Sequence, residues 1–336
     1  MTDDQIVQVA GVSQWFGDVQ ALTNLTIEVP KGSISVLLGP NGAGKTTAIR
    51  MITGALSPGE GSVRVFGLDP VSSDGEEVRR RCGVVSAKPS LYDRLSGWDN
   101  LRYSAELYGL GRRADSRIEE AAGQFGIDAA LDLQVGGYST GMKTRLALAR
   151  SILHGPDLLL LDEPTSGLDP ESAVIVLELI RQMTGEGRTV LLCTHLLLEA
   201  EGLADEIVVM QHGTSLLSGR PDELAQRYWP SPQVHVTSEA GSDMDFLAQL
   251  PAVAAYERHG NTATIDLPDL SQVPELVEAL VRRNIRITSV APFTPTLEDL
   301  YFAVRREQGS TSDEAVPPPS TTGRPARRSR VAQMAR

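Results

Sequence analysis

The chain has 336 residues, 41 % of them apolar, enough for one large domain and a smaller one, each with a packed core. Its 31 Lys and Arg against 43 Asp and Glu leave a net charge of −12, which argues against a protein that coats nucleic acid and allows only local basic patches. Two cysteines, Cys82 and Cys193, lie far apart in apolar contexts with no CxxC pair; they read as buried free thiols in a reducing compartment.

The opening MTDDQIVQVA is acidic and lacks the apolar core of a secretory leader. QIVQVAGV, LTIEV and SVRVFG alternate apolar and polar residues, as half-exposed antiparallel strands do. SISVLL, LLLLDEP, TVLLCTH and EIVVMQHG are continuous apolar runs with helix patterns nearby, which predicts buried parallel strands in an α/β core. All are too short and too polar to span a bilayer. Residues 92–153 turn helical, through WDNLRYSAELYGL, DSRIEEAAGQFG and TGMKTRLALARSIL, and read as a helical insertion. The Pro-rich stretch YWPSPQ is a linker, residues 229–233, that closes a first domain of residues 1–228. After it come a strand (VHVTS), a helix (DMDFLAQL), a hairpin (AVAAYER and TATIDL), a helix (PELVEALVRRN) and a strand (IRITSV). This βαββαβ order predicts a small ferredoxin-like domain, residues 234–306, ending in a closing helix, TPTLEDLYFAVRR. Residues 307–336, rich in Pro, Ser and Thr and with arginines but no acid from 324 on, read as a disordered basic tail. Its plain role is none; contact with anionic lipid headgroups is the alternative.

GPNGAGKT, residues 39–46, matches G-x-x-x-x-G-K-[ST] between an apolar strand and a helix, the context a phosphate loop requires. Gly39, Pro40, Asn41, Gly42, Ala43, Gly44, Lys45, Thr46 and Thr47 form the expected cradle. Its glycines let the backbone wrap the β-phosphate, Lys45 reaches the β- and γ-phosphates, and Thr46 offers a hydroxyl to Mg²⁺. LLLLDEP ends a buried strand on two carboxylates: Asp162 suits the Mg²⁺ shell through water, and Glu163 suits proton abstraction from an attacking water. His195 ends another apolar strand, where it suits a hydrogen bond to the γ-phosphate; a lone histidine is more often a satisfied surface or core residue. SGLD, residues 166–169, is a tight turn. YSTGM, residues 138–142, has no strong acid, base or metal ligand, yet opens a helix whose first N–H groups are free for an anion.

Over residues 7–226 these motifs, in this order, resemble the nucleotide-binding domain of ABC transporters: residues 39–47 resemble Walker A, residues 158–163 Walker B, residues 166–169 with Asp169 the D-loop, and His195 the switch histidine. The resemblance implies a P-loop α/β fold with a parallel core sheet, an antiparallel β subdomain and a helical insertion. It implies ATP and Mg²⁺ as ligands. Phe16 stands where the family places an aromatic that stacks on adenine, with Trp15 as its rival. YSTGM is similar to the LSGGQ signature, so two chains are expected to pair head to tail, with Ser139, Thr140 and Gly141 of one closing over the ATP held by the other. Tyr138 and Thr140 depart from that pattern; Ser139 and Gly141 keep it. Ala87 takes the place of the family's Q-loop glutamine, which touches Mg²⁺ and the lytic water. Hydrolysis through Glu163 and His195 is still expected; a sensing subunit that hydrolyses poorly is the alternative.

The C-terminal βαββαβ unit resembles the extension of ATPases that serve ABC-2 type exporters, such as the daunorubicin-resistance group. The expectation is an exporter's ATPase, pairing with itself and with a separately encoded permease, and binding no nucleic acid. It would be cytoplasmic and held at the inner face of the membrane by that permease.

Overall fold

The computed structural model describes residues 4–307. The tail expected from residue 307 on, with its lipid contact, lies outside them, apart from Glu307, which ends the last helix.

The first unit opens with two 12-residue strands, β1 (Gln5–Phe16) and β2 (Val19–Pro30), joined by a tight turn at Gly17 and interrupted by bulges. Next come β3 (Ile34–Leu38), α1 (Lys45–Ile52), β4 (Glu60–Val65), α2 (Gly75–Arg80) and β5 (Cys82–Val85). The helical insertion holds α3 (Gly97–Leu107), α4 (Ala114–Gln124) and α5 (Thr140–Ile152). It returns to β6 (Leu158–Asp162), α6 (Pro170–Gly185), β7 (Thr189–Thr194), the single turn α7 (Leu197–Ala200), β8 (Glu206–Gln211), β9 (Thr214–Gly219) and α8 (Pro221–Tyr228). As expected, β2-β1-β4 is an antiparallel sheet. The core sheet runs β5-β6-β7-β3-β8-β9, parallel except for its β9 edge.

The continuous apolar runs have a physical reason: the strands are buried on both faces. On β6, Leu159 and Leu161 face a core shared with the helical insertion and α6, while Leu158 and Leu160 face a core shared with α1 and the antiparallel sheet. Cys193 and Cys82 sit in the second core as free thiols, and burial pushes the Cys82 thiol up to about 12, so neither is a ready nucleophile.

The second unit holds β10 (Gln233–Ser238), β11 (Ala255–His259), β12 (Thr262–Asp266), α9 (Val273–Arg282), β13 (Ile287–Pro292) and α10 (Leu297–Glu307). Its sheet order β11-β12-β10-β13, antiparallel throughout, is that of a ferredoxin-like unit. One expected element differs. DMDFLAQL forms a short 3₁₀ turn over Asp245–Gln249 in place of an α-helix, with Met244 and Leu247 as its buried anchors. Helix α10 does not join this unit's core. Leu297, Leu300 and Val304 bury its apolar stripe in the first unit's core, against α7 and α8.

Candidate functional site

Three parallel strands, β3, β6 and β7, end at one place. Leu38 lies beside Thr194 and Asp162 beside Cys193. The backbone carries the alignment one residue further, where Gly39 N–H donates to Thr194 O (3.2 Å) and Glu163 N–H to Cys193 O (2.9 Å). The phosphate loop, the carboxylate pair and His195 therefore meet at the carboxyl ends of the strands, where ligands bind in open α/β sheets.

The loop from Gly39 to Gly44 needs its glycines. A Cβ on Gly39 would stand 2.4 Å from Met210 O, and Gly44 has φ 103° with Leu22 Cδ2 2.5 Å from where its Cβ would be. Gly44 leads directly into α1, whose first N–H groups lack intrahelical partners and favour an anion. Lys45 is 6 % exposed. Its Nζ donates to Gly39 O (2.6 Å) and Pro40 O (3.2 Å) and lies 3.2 Å from Glu163 Oε1. Thr46 Oγ1 donates to Asp162 Oδ2 at 2.7 Å. Burial pushes the Asp162 carboxyl above its usual range, against the pull of the Thr46 bond and the Lys45 charge.

Glu163 has a φ of 50°, a left-handed backbone that costs a non-glycine residue conformational energy. Its amide bond to Cys193 O and the bond from Ser166 N–H to its own carbonyl (3.1 Å) hold the turn. The side chain is 12 % exposed; Oε2 lies 2.7 Å from His195 Nδ1, while the buried Oε1 is ion-paired with Lys45 but accepts no hydrogen bond among the described residues. A carboxylate only accepts, so Nδ1 carries the proton in this pairing. The neutral ring then presents Nε2 as an acceptor, and only the imidazolium presents it as a donor.

Residues 139–141 differ in every respect. Ser139 and Thr140 are exposed at the start of α5, and Ser139 Oγ caps the helix by accepting from Met142 N–H (3.2 Å). The cap uses one of the N–H groups that the sequence had left free. Tyr138 is buried and donates to Ala130 O (2.6 Å), which accounts for an aromatic where the signature has leucine. A Cβ on Gly141 would stand 3.1 Å from Ser172 Oγ, so this turn abuts the start of α6. There Asp169 accepts from Ser172 N–H (3.0 Å) and Oγ (2.7 Å), bonds that hold its carboxyl below the usual range. Phe16 and Trp15, at the far end of β1, are 46 % and 40 % exposed, and the Trp15 ring packs over Gly59. Ala87 is exposed just beyond β5, in a turn closed by Ser86 Oγ donating to Lys88 O (2.9 Å).

With this geometry in view, residues 22–166 match the ABC transporter family model, and residues 219–304 match the C-terminal domain of DrrA1-3-like ATP-binding proteins. The ABC transporter ATP-binding protein YdbJ of Bacillus subtilis is 31 % identical over 330 residues, 93 % of this chain and 99 % of that protein. The chain belongs to the ATP-binding subunits of ABC transporters. The daunorubicin/doxorubicin resistance ATP-binding protein DrrA of Streptomyces peucetius is 34 % identical, covering 89 % of this chain and 92 % of its own. The Nod factor export ATP-binding protein I of Bradyrhizobium diazoefficiens is 32 % identical, covering 88 % and 95 %. Among solved structures, an ATP-binding subunit of an ABC transporter superposes with a TM-score of 0.61 at 29 % identity, over 66 % of this chain and 93 % of that one.

This ABC subunit is therefore an ATP-binding ATPase of an exporter-type system. Reading its sequence overlooked one feature beside the site. Thr165, Thr194 and Glu199 share hydrogen bonds under the two loops that carry Glu163 and His195. The clue was in CTHLLLEA: an acid four residues after the histidine, in a stretch otherwise apolar.

Proposed function

We propose that this subunit hydrolyses ATP at two composite sites of a head-to-tail homodimer and so drives a separately encoded permease. The observation that carries this reading is the convergence of Lys45, Asp162, Glu163 and His195 at the carboxyl ends of β3, β6 and β7 while Ser139 and Thr140 stay exposed elsewhere. In this reading the β- and γ-phosphates lie on the N–H groups of residues 42–47, with Phe16, the less packed of the two aromatics, against adenine. Lys45 exchanges its bond to Glu163 for phosphate oxygens. Glu163, so released, takes a proton from the attacking water, and His195 hydrogen-bonds the γ-phosphate.

The donor set fits Mg²⁺. Thr46 and Asp162 present hard oxygens in mutual contact, and no group of three or more His, Cys, Asp or Glu among the described residues could hold a metal ion. Mg²⁺ characteristically takes few protein ligands and completes its shell with phosphate and water. Thr46 and, through water, Asp162 would hold it; when bound it neutralises charge on the phosphates.

The partner copy supplies Ser139, Thr140 and Gly141 at the positive end of α5, next to Asp169. We place the permease at a groove of about 260 Å³ on the helical insertion, lined by Val84, Tyr92, Tyr103, Leu107, Tyr108 and Arg150 among others. The next residue, Asp93, binds Lys143 of α5 at 2.8 Å, so a helix docked there adjoins the signature turn. No helix of the described residues is long and apolar enough to cross a membrane, in keeping with a subunit held on the cytoplasmic face by its permease. The domain division proposed is 1–228, linker 229–233, and an accessory unit from 234 whose closing helix docks back on the first. Ala87 favours a second reading, a nucleotide sensor with slow turnover, because its methyl group can hold neither metal nor water.

Size-exclusion chromatography of Glu163→Gln with Mg-ATP tests the proposal. A stable dimer is expected; a protein that stays monomeric at ATP concentrations saturating the wild type contradicts it.

A further inference from the structure

The Glu163 to His195 contact joins two different loops, and something must hold those loops in register. Thr165 lies two residues after Glu163, across Pro164, whose fixed φ leaves little slack. Thr194 immediately precedes His195. Both threonines are buried, and both hydroxyls donate to one oxygen, Glu199 Oε2, at 2.6 and 3.1 Å. Thr194 Oγ1 in turn accepts from Leu196 N–H at 3.1 Å, which fixes the chain on the far side of His195. Glu199 stands on the single turn α7, pinned by Glu199 N–H to Leu196 O (3.2 Å) and by the buried Ala200.

We propose that Glu199 is a positioning residue for hydrolysis, tying the loop that carries Glu163 to the loop that carries His195. On one side of the pair the tie is backbone, Glu163 N–H to Cys193 O; on the other it is this carboxylate. A carboxylate that accepts two hydroxyl hydrogens forms charge-assisted bonds, stronger than neutral ones and directional. The strained Glu163 backbone needs such over-determination to persist. Helix α10 packs on α7, so the same turn also rests against the C-terminal part of the chain. Glu199 does not contact the phosphate loop in any described hydrogen bond, so its loss leaves nucleotide binding intact.

The inference rests on Glu163 and His195 being the hydrolytic pair, and the test separates the two. ATPase kinetics are measured for Glu199→Leu, Glu199→Gln, the Thr165→Val/Thr194→Val pair, the triple variant and Glu163→Gln. Glu199→Leu is expected to lower kcat about tenfold with KM for ATP unchanged. Glu199→Gln keeps an oxygen acceptor and is expected within about threefold of wild type. The valine pair reproduces the leucine loss, and the triple variant adds nothing to it, because all three substitutions break one network. The valine pair, close in shape to wild type, also decides the matter if Glu199→Leu does not fold. Unchanged kcat in either variant, a loss shared equally by Gln and Leu, or additive losses would overturn the inference. A Glu163→Gln protein that still turns over ATP would instead sink the reading on which it rests.

Discussion

The two ends of the proposed composite site are built on opposite plans. At the carboxyl ends of β3, β6 and β7, charged side chains satisfy one another within one chain: Lys45 with Glu163, Glu163 with His195, Thr46 with Asp162. Residues 139–142, at the start of α5, carry no charge; Ser139 caps its own helix and stays exposed with Thr140. In the proposed reading the first end holds its reactive groups in internal bonds that a bound polyphosphate would exchange. The second offers only small side chains and helix N–H groups, which gain meaning when an anion arrives on another molecule. A site divided this way couples chemistry to assembly, because neither end is sufficient alone.

Substitutions at the charged end alone should stop chemistry and spare assembly. Glu163→Gln removes the proton acceptor and leaves the phosphate cradle, so turnover should fall ~10²–10⁴-fold with ATP affinity retained. Steady-state ATPase rates and equilibrium nucleotide binding measure the two quantities; parallel losses in both would blur the distinction between the ends. Asp162→Asn should be the next largest, with kcat falling ~10²-fold as the Mg²⁺ shell is lost. The same change should stabilise the nucleotide-free protein. The folded-state pKa of Asp162 is raised, mainly by burial, so the folded chain binds the proton more tightly than the unfolded chain does. Stability therefore falls as pH rises from the unfolded value towards the folded one, and the cost persists at neutral pH. Removing the charge should raise Tm at pH 7, a gain that shrinks as pH falls into the ordinary carboxylate range. Thermal unfolding at pH 7 and in that range reads this out, and a lower Tm at pH 7 would mean that Thr46 and Lys45 more than compensate for burial.

Ala87→Gln should have the smallest effect. The turn at residues 86–88 is already closed by the Ser86 to Lys88 bond, with position 87 exposed. A longer side chain there should leave kcat within about twofold and KM for ATP unchanged. A rise of tens-fold would instead show that the missing amide limits hydrolysis.

The parallel core was legible because strands buried on both faces cannot hide their apolar runs, and the phosphate loop because its spacing is dictated by backbone geometry. What escaped had weaker signals. β5 is only four residues long and one of its residues, Val84, is exposed, so CGVV shows neither clean alternation nor a long apolar run. The turn at Asp245–Gln249 has the apolar spacing of a helix but too few residues to close one. The apolar stripe of α10 was visible, yet periodicity says that a face is buried and not in which core. At the candidate site, residue types and spacing pointed to a phosphate loop and a carboxylate pair. The pairing of Glu163 with both Lys45 and His195, and the Glu199 tie beneath them, depend on which strands lie side by side, and no local pattern encodes that.

Complementation between two defective copies tests the divided site most directly. Lys45→Ala disables the charged end of its own chain, and Ser139→Arg disables the small-residue end that serves its partner. Mixed at equal concentrations, half of the dimers hold one chain of each kind, and each such dimer has one intact composite site. The mixture should then show about a quarter of the wild-type ATPase rate, where each variant alone shows almost none. A rate no higher than either variant alone, with mixing verified by affinity tags on the two chains, would contradict the division of the site between two molecules.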